Sequence, residues 1–374
     1  MKKIAILTWL HNGNYGSILQ AYALQAFLSE KGYAVENIDY NPTSLERIKN
    51  LFQSRNSPLL FYEKLQGKLA YITPQAKENN IRKEGKFTEF LHNSFHLTKT
   101  FTRTDDLREL SGRYDAVICG SDQIWSPMLL NPSFYLNFLG NEDRRISYAC
   151  SFGVSHIPYA KQKKISTLLK KFDFISLREF QGQKIVKSLT GEDCPVLCDP
   201  TMLLTEAQWT EIASPQVIDG NYCLIYMLSY HKDYWNHAEK FARNLGLKIV
   251  MIPVTKESYE SDAILAKDIG PEQWVSLVKN ARLVLTDSFH GCVFSIIFNR
   301  PFFVYKRFND QNIKSQNSRL DTLLTQFDLK ERIISTYDCF PEVKENDHAK
   351  LCSLIAALRD DSARWLQRAI NGEI

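Results

Sequence analysis

Arg282 to Phe298 reads RLVLTDSFHGCVFSIIF, with Asp287, Ser288 and His290 gathered between two apolar runs. A short run rich in Leu and Val reads as a buried strand, and CVFSIIF reads as a helix buried on most sides, so DSFHG falls on the turn between them. Turns of this kind, at the carboxyl ends of strands, are where open α/β sheets bind ligands. Either Asp287 or Ser288 can cap the new helix, whose first amides then point into the crevice and place His290 beside a ready anion site. The same three residues would equally serve folding alone, as a capping pair and a satisfied structural histidine.

Other clusters repeat this placement. Gly13 and Gly16 in HNGNYGSILQ open the first helix after the first strand. Two glycines rather than three, with no Walker lysine, match neither the dinucleotide fingerprint nor the P-loop, which leaves a general anion or substrate loop or a tight structural turn. In GSDQIW, Asp122 suits a base or a partner for sugar hydroxyls and Trp125 offers a face for a sugar ring; a capping Asp and a core Trp are the alternative. ISLREF puts Arg178 and Glu179 just past a strand, where a guanidinium fork can hold a carboxylate or phosphate, or where the two pair with each other. YKRF puts Lys306 and Arg307 after the strand that follows the His290 helix, at the same sheet edge, although surface cations are commonly only solvated.

Positioning these groups at one edge requires parallel strands alternating with helices. KIAILTWL reads as a strand rather than a signal peptide, ILQAYALQAFLSEKG as a helix ending at a glycine, and YAVENIDY as a second strand. That βαβ unit predicts a parallel sheet with helices on both faces. Residues 43–112 are polar and helical in pattern and read as an insertion. YDAVICGSDQIW, RRISYACSFG, DFISLRE and CPVLCDP then resume the strands. The alternation breaks near 205–221 and restarts with YCLIYMLS, a helix over 233–245, LKIVMIPV, a helix over 271–280, RLVLT and PFFVYK. Two α/β domains facing a cleft follow, residues 1–210 and 211–374, with a helical tail over 343–371 long enough to cross back onto the first.

Composition excludes more than it assigns. The chain has 374 residues, of which 44% are hydrophobic and 24% charged, ordinary for a globular protein and long for one core. A net charge of +4 over this size does not argue for nucleic acid, and no run nears the roughly 20 apolar residues of a spanning helix. Eight scattered cysteines, several inside apolar runs, read as reduced and buried, and Cys194 and Cys198 have no second pair at zinc-ribbon spacing. No metal site is expected.

The ordered set GNYGSILQAYAL, YDAVICGSDQIW, ISLRE, CDPTMLL and LTDSFHGCVFSIIFNRPFFVY resembles the polysaccharide pyruvyl transferase family over nearly the whole chain. The resemblance implies two Rossmann-like domains of GT-B type and phosphoenolpyruvate as co-substrate, with no separate cofactor. It further implies a pyruvate ketal installed on a sugar of a surface glycan or its precursor, free or lipid-linked, on the cytoplasmic side with at most peripheral membrane contact. Carried onto this sequence, it makes His290, Asp122 and Glu179 the candidates for proton transfer. Arg178, Ser288, Gly291, Lys306 and Arg307 fall on the donor side. Asn12, Asn14, Tyr15, Gly16, Ser121, Gln123 and Trp125 fall on the acceptor side. Many members carry Arg two residues before the motif histidine, where this chain has Ser288, so that donor binding passes to Arg178, Lys306 or Arg307. A nucleotide-sugar glycosyltransferase and a catalytically silent glycan-binding protein are the other readings of the same fold.

Overall fold

The computed structural model describes residues 1–53, 74–308 and 316–374. The first half of the chain forms β1 (Lys3–Leu7), α1 (Tyr15–Glu30), β2 (Ala34–Asn37), α2 (Ser44–Gln53), α3 (Pro74–Ser94), β3 (Ala116–Cys119), β4 (Arg145–Cys150), α4 (Tyr159–Leu169), β5 (Phe174–Leu177), α5 (Phe180–Thr190) and α6 (Glu206–Ile212). The second forms β6 (Tyr222–Tyr226), α7 (Lys232–Asn244), β7 (Lys248–Met251), β8 (Ile264–Leu265), α8 (Pro271–Asn280), β9 (Leu283–Thr286), α9 (Phe289–Ile297), β10 (Phe302–Tyr305), α10 (Ser318–Gln326), β11 (Ile333–Ile334) and α11 (His348–Asn371). Strands β3, β4, β6, β9 and β10 are buried along their whole length. Such unbroken apolar runs arise because helices cover both faces of a parallel sheet.

Each half builds one all-parallel sheet, ordered β2-β1-β3-β4-β5 in the first and β11-β10-β9-β6-β7-β8 in the second. The strand order reverses between β1 and β3 in the first sheet and between β6 and β9 in the second. A ligand crevice opens at such a switch point, outside the carboxyl ends of the two strands. The loops after β1, β3 and β9 border these switch points.

CPVLCDP is not a full strand: its only ladder contact is a bridge from Val196 to Leu177. Of the insertion expected over 43–112, the described part is α2, α3 and a stretch that rejoins the first sheet through bridges Asn37 to Leu97 and Tyr40 to Phe101. The remainder, residues 54–73, lies outside the described residues. Cys339 and Cys352 are exposed, which corrects the expectation that the cysteines are all buried.

The halves are joined by more than the connecting chain. Tyr15 of α1 stacks on Trp274 of α8 with centroids 5.8 Å apart, and its hydroxyl donates to the carbonyl of Ile269 at 3.1 Å. Trp209 of α6 meets Phe294 of α9 at 4.8 Å. These rings belong to one buried apolar cluster that runs from β1 and α1 through to α8 and α9. Aromatic side chains of this size bury about 150–250 Å² each, so the seam contributes strongly to the attraction between the two halves. Helix α11 crosses back to the first sheet, where Arg144 donates to the carbonyl of Ile370 at 2.6 Å and Lys2 to Asn371 at 2.7 Å. No helix among the described residues is long and apolar enough to cross a membrane.

Candidate active site

The two switch points meet. After β3 the backbone turns through Asp122 at φ 67°, a left-handed conformation uncommon for a residue with a side chain, and aims its carboxylate toward the second domain. Ser17, in the first turn of α1, donates to Asp122 Oδ2 at 2.5 Å, and Arg178 Nη2, past the end of β5, donates to Oδ1 at 3.2 Å. Arg178 Nη1 reaches Asp199 Oδ2 at 2.6 Å. Asp199 is held in turn by Thr201, whose backbone N–H and hydroxyl donate to Oδ1 at 3.0 and 2.7 Å. From the second domain, His290 Nε2 faces Asp199 Oδ2 at 3.5 Å.

A glycine makes the approach of the histidine possible. A Cβ added to Gly16 would lie 1.9 Å from Nδ1 of His290, so the imidazole rests directly on the first turn of α1. Gly16 is thus a neighbour of the histidine. Arg178 lies over the ring of Phe289 at 4.5 Å, and Arg319 of α10 lies over the same ring at 5.8 Å. With its amide oxygen facing Arg319, Gln123 accepts from Nε and Nη2 at 3.2 and 2.9 Å, and Gln316 accepts from Nη2 at 3.0 Å. Asp122, Arg178, Glu179, Asp199, His290 and Arg319 are all buried.

Burial alone would raise both aspartates. In Asp122 the charges of Arg178 and His290 and the Ser17 hydroxyl outweigh it and leave the carboxyl below its ordinary range. In Asp199 His290 and Arg178 do the same more strongly, with help from the Thr201 amide, and the carboxyl falls far below that range. Glu179 goes the other way. Burial dominates and raises it, although Arg178 and Arg319 act in opposition. Its Oε1 accepts from Ser151 Oγ and the amide of Phe152 at 3.0 Å, while Oε2 is buried without a hydrogen-bond partner among the described residues. Arg319 is pushed down to about 9 by burial and then by the charges of Arg178 and Arg307, so it remains a cation at neutral pH. No carboxylate oxygen of the described residues lies within 4 Å of it.

The other residues singled out from the sequence divide. Asn12 Nδ2 donates to Ser17 Oγ at 2.9 Å and so touches the cluster, whereas Asn14 caps α1 by accepting from the amide of Ser17 at 3.2 Å. Tyr15 belongs to the aromatic seam. Ser121 is structural: its amide donates to Gln20 and its hydroxyl to the carbonyl of Ala149. Trp125 is corrected outright, being fully buried, stacked on Tyr135 at 5.2 Å and bonded through Nε1 to the carbonyl of Phe134. It has no free face for a sugar. Ser288 caps α9 by accepting from the amide of Gly291 at 3.3 Å, and Gly291 lets α9 pack on β9, since a Cβ there would meet Thr286 Oγ1 at 2.6 Å. Asp287 does not cap but accepts from the amides of Leu228 and Ser229. Lys306 pairs with Asp321 at 3.1 Å, and Arg307 Nε lies 3.9 Å from Asp287.

Three residues escaped the sequence reading. Asp199 was visible as the acid closing CPVLCD at the edge of a sheet, as Asp122 closes its own run. Ser17 and Arg319 carry no local signal, because an unremarkable helix supplies each of them and only packing turns them inward. The cluster is shut as it stands. The cavity beside it, between Arg178, Asp199, Phe289 and Leu323, has room for about one water at 10 Å³. Among the described residues no three His, Cys, Asp or Glu side chains are grouped to hold a metal ion.

Comparison with solved structures finds similar chains at low identity. An α-glucosyltransferase in complex with UDP is 11% identical with a TM-score of 0.48, over 99% of this chain and 95% of that one. A putative UDP-N-acetylglucosamine 2-epimerase from Listeria monocytogenes is 10% identical at 0.46, over 96% of each, and the E. coli heptosyltransferase WaaC is 10% identical at 0.39, over 88% and 99%. No curated protein matches the sequence. The family model for polysaccharide pyruvyl transferase matches residues 14–307, a span that holds α1, Asp122, Arg178, Asp199 and His290, and the chain belongs to that family.

Proposed function

We propose that the chain transfers the pyruvate unit of phosphoenolpyruvate to two hydroxyls of a saccharide, forming a ketal on a surface glycan or its precursor at the cytoplasmic side of the membrane. The observation that carries this is the buried interdomain cluster of His290, Asp199, Arg178 and Asp122 with Arg319 beside it. Membership of the family supports the same class of reaction. The donor carries a carboxylate and a phosphate, and the cluster supplies two guanidinium groups shielded from water. Charge-assisted bonds from Arg to such groups are about twice as strong as neutral ones, and shielding strengthens them further.

The chemistry asks for a proton at the methylene carbon of the donor, which creates a cation-like centre at the adjacent carbon. We assign its delivery to His290, whose Nε2 lies 3.5 Å from Asp199 and has no hydrogen-bond partner among the described residues. Asp199 and Asp122 then balance the guanidinium of Arg178 and fix its plane. The exclusion of water protects a centre that water would otherwise capture. Glu179, raised by burial and with Oε2 unpartnered, is a second proton carrier in the same cluster.

The test is incubation with phosphoenolpyruvate and a panel of galactosides and N-acetylhexosamines. Phosphate release together with a mass gain on the sugar is expected. Phosphate without the mass gain would mean hydrolysis only. A melting temperature raised by a nucleotide sugar and not by phosphoenolpyruvate would move the protein to glycosyl transfer.

A further inference from the structure

A second histidine stands at the same sheet edge, outside the cluster. His11, in the loop between β1 and α1, meets Asp39, just past β2, with Nε2 to Oδ1 at 2.5 Å. The carboxylate is itself fixed: Thr100 donates its hydroxyl to Oδ2 at 2.5 Å, and the amide of Asp39 donates to Thr98 Oγ1 at 3.0 Å. Asp39 is 7% exposed, whereas the side chain of His11 is 25% exposed, so a rigid buried acid holds a ring that solvent reaches. A surface ion pair of no consequence would hold neither partner still. Burial acts against the ionised acid, yet the bonds from His11 and Thr100 keep it below its ordinary range.

The loop also reaches the cluster. Asn12, the next residue, donates to Ser17 Oγ at 2.9 Å, and Ser17 donates to Asp122 Oδ2 at 2.5 Å. Gly16, at the end of the loop, carries the ring of His290. One short segment therefore holds a solvent-accessible imidazole on one side of β1 and contacts the buried acid and histidine on the other.

We propose that His11 is the general base that deprotonates the acceptor hydroxyl, with Asp39 as the positioning residue that keeps the proton on Nε2 and the lone pair on Nδ1. The proposal rests on the transfer reaction above. The acceptor O–H breaks as its oxygen bonds to the central carbon of the donor, and the proton passes to Nδ1 of His11, while the methylene carbon takes its proton from His290. When the second hydroxyl closes the ketal, the C–O bond to phosphate breaks, phosphate leaves with the electron pair, and the proton of that hydroxyl leaves with it. His11 then returns its proton to solvent and His290 regains one.

Two measurements test this. In the intact protein, nitrogen-15 resonances of the His11 ring should show the Nε2–H tautomer, and Asp39→Asn should remove that preference; an Nδ1–H ring in the parent overturns the proposal whatever the substrate. In transfer assays His11→Gln should lower kcat/KM for the acceptor about a hundredfold or more, the scale of general-base catalysis, while phosphoenolpyruvate stabilises the variant as it does the parent. Added imidazole should restore part of the activity of His11→Gly. A His11→Gln variant within about threefold of the parent overturns the proposal, as a structural role would predict. A parent silent with phosphoenolpyruvate would instead remove the donor reading, and the tautomer then decides the dyad.

Discussion

Asp122 and Asp287 occupy matching places, each in the turn after a central strand at the switch point of its sheet, and each is buried. Their fates are opposite. Asp122 pairs with Arg178 of its own domain, feels the charge of His290 from the other, and is held below its ordinary range. Asp287 turns into its own domain, accepts from the amides of Leu228 and Ser229 and the hydroxyl of Ser229, and is raised by burial because Arg307, 3.9 Å away, does not compensate. A strand end therefore fixes where an acid stands, and the charges around it decide which way its proton affinity moves. One aspartate joins the buried interdomain cluster, the other holds the loop after β6.

The largest expected effect is on the cluster that Asp122 joins. His290→Gln keeps the size and hydrogen bonding of the side chain but cannot transfer a proton, and should lower transfer about a hundredfold to ten-thousandfold with the melting temperature near that of the parent. Truncation to Ala is the poorer test, because the ring is buried against Gly16 and its loss leaves a gap. A His290→Gln variant within about tenfold of the parent would show that the cluster only binds. Next in size is Arg178→Met. It strands Asp122 and Asp199 in the interior, where breaking a buried pair costs about 3–5 kcal/mol, and urea denaturation should register that loss. If stability barely changes, water must enter the cluster and Asp122 is no better shielded than a surface acid.

These expectations also mark what the sequence could convey. The succession of strands and helices and the parallel sheets are legible because apolar periodicity and turn residues are local, and Asp122, Arg178 and His290 all sit at strand ends. What fails is the direction of a side chain. Trp125 stands in the turn beside Asp122 yet packs on Tyr135, and Asp287, a candidate cap, turns instead to the amides of Leu228 and Ser229. Arg319 illustrates the reverse. It comes from NSRLDTLL, a stretch that reads as an ordinary amphipathic helix, and only the packing of α10 against α5 and α9 carries its guanidinium over Phe289.

Arg319 accordingly sharpens the contrast between the two domains, being a buried cation from the second one with neutral amides as hydrogen-bond partners. Arg319→Met should leave stability unchanged or slightly higher, because an uncompensated buried charge is removed. Donor affinity should fall by about tenfold to a hundredfold, the size of a charge-assisted bond, as read by calorimetric titration with phosphoenolpyruvate. A variant that loses several kcal/mol of stability and binds the donor like the parent would make Arg319 a strut held by Gln123.

The smallest effect tests the two aspartates directly, through the pH dependence of stability. The folded value of Asp122 lies below its ordinary 3.8, so over the interval between them the unfolded chain binds the proton more tightly and stability rises with pH. That contribution is complete above the ordinary value and lost as pH falls through the folded one. In Asp287 the folded value lies above 3.8, so the folded chain holds the proton and stability falls as pH rises from the ordinary value through the folded one. A tenfold difference in proton affinity between folded and unfolded chains is worth about 1.4 kcal/mol, which urea denaturation resolves. Asp122→Asn should thus flatten the acid limb of the curve, whatever it costs at neutral pH. Asp287→Asn should steepen the rise above the ordinary value of 3.8, because an opposing slope is gone, and should still accept from Leu228 through its amide oxygen. Curves that stay parallel to the parent in both variants would mean that the two acids meet equivalent surroundings, and that the division of labour drawn between them is wrong.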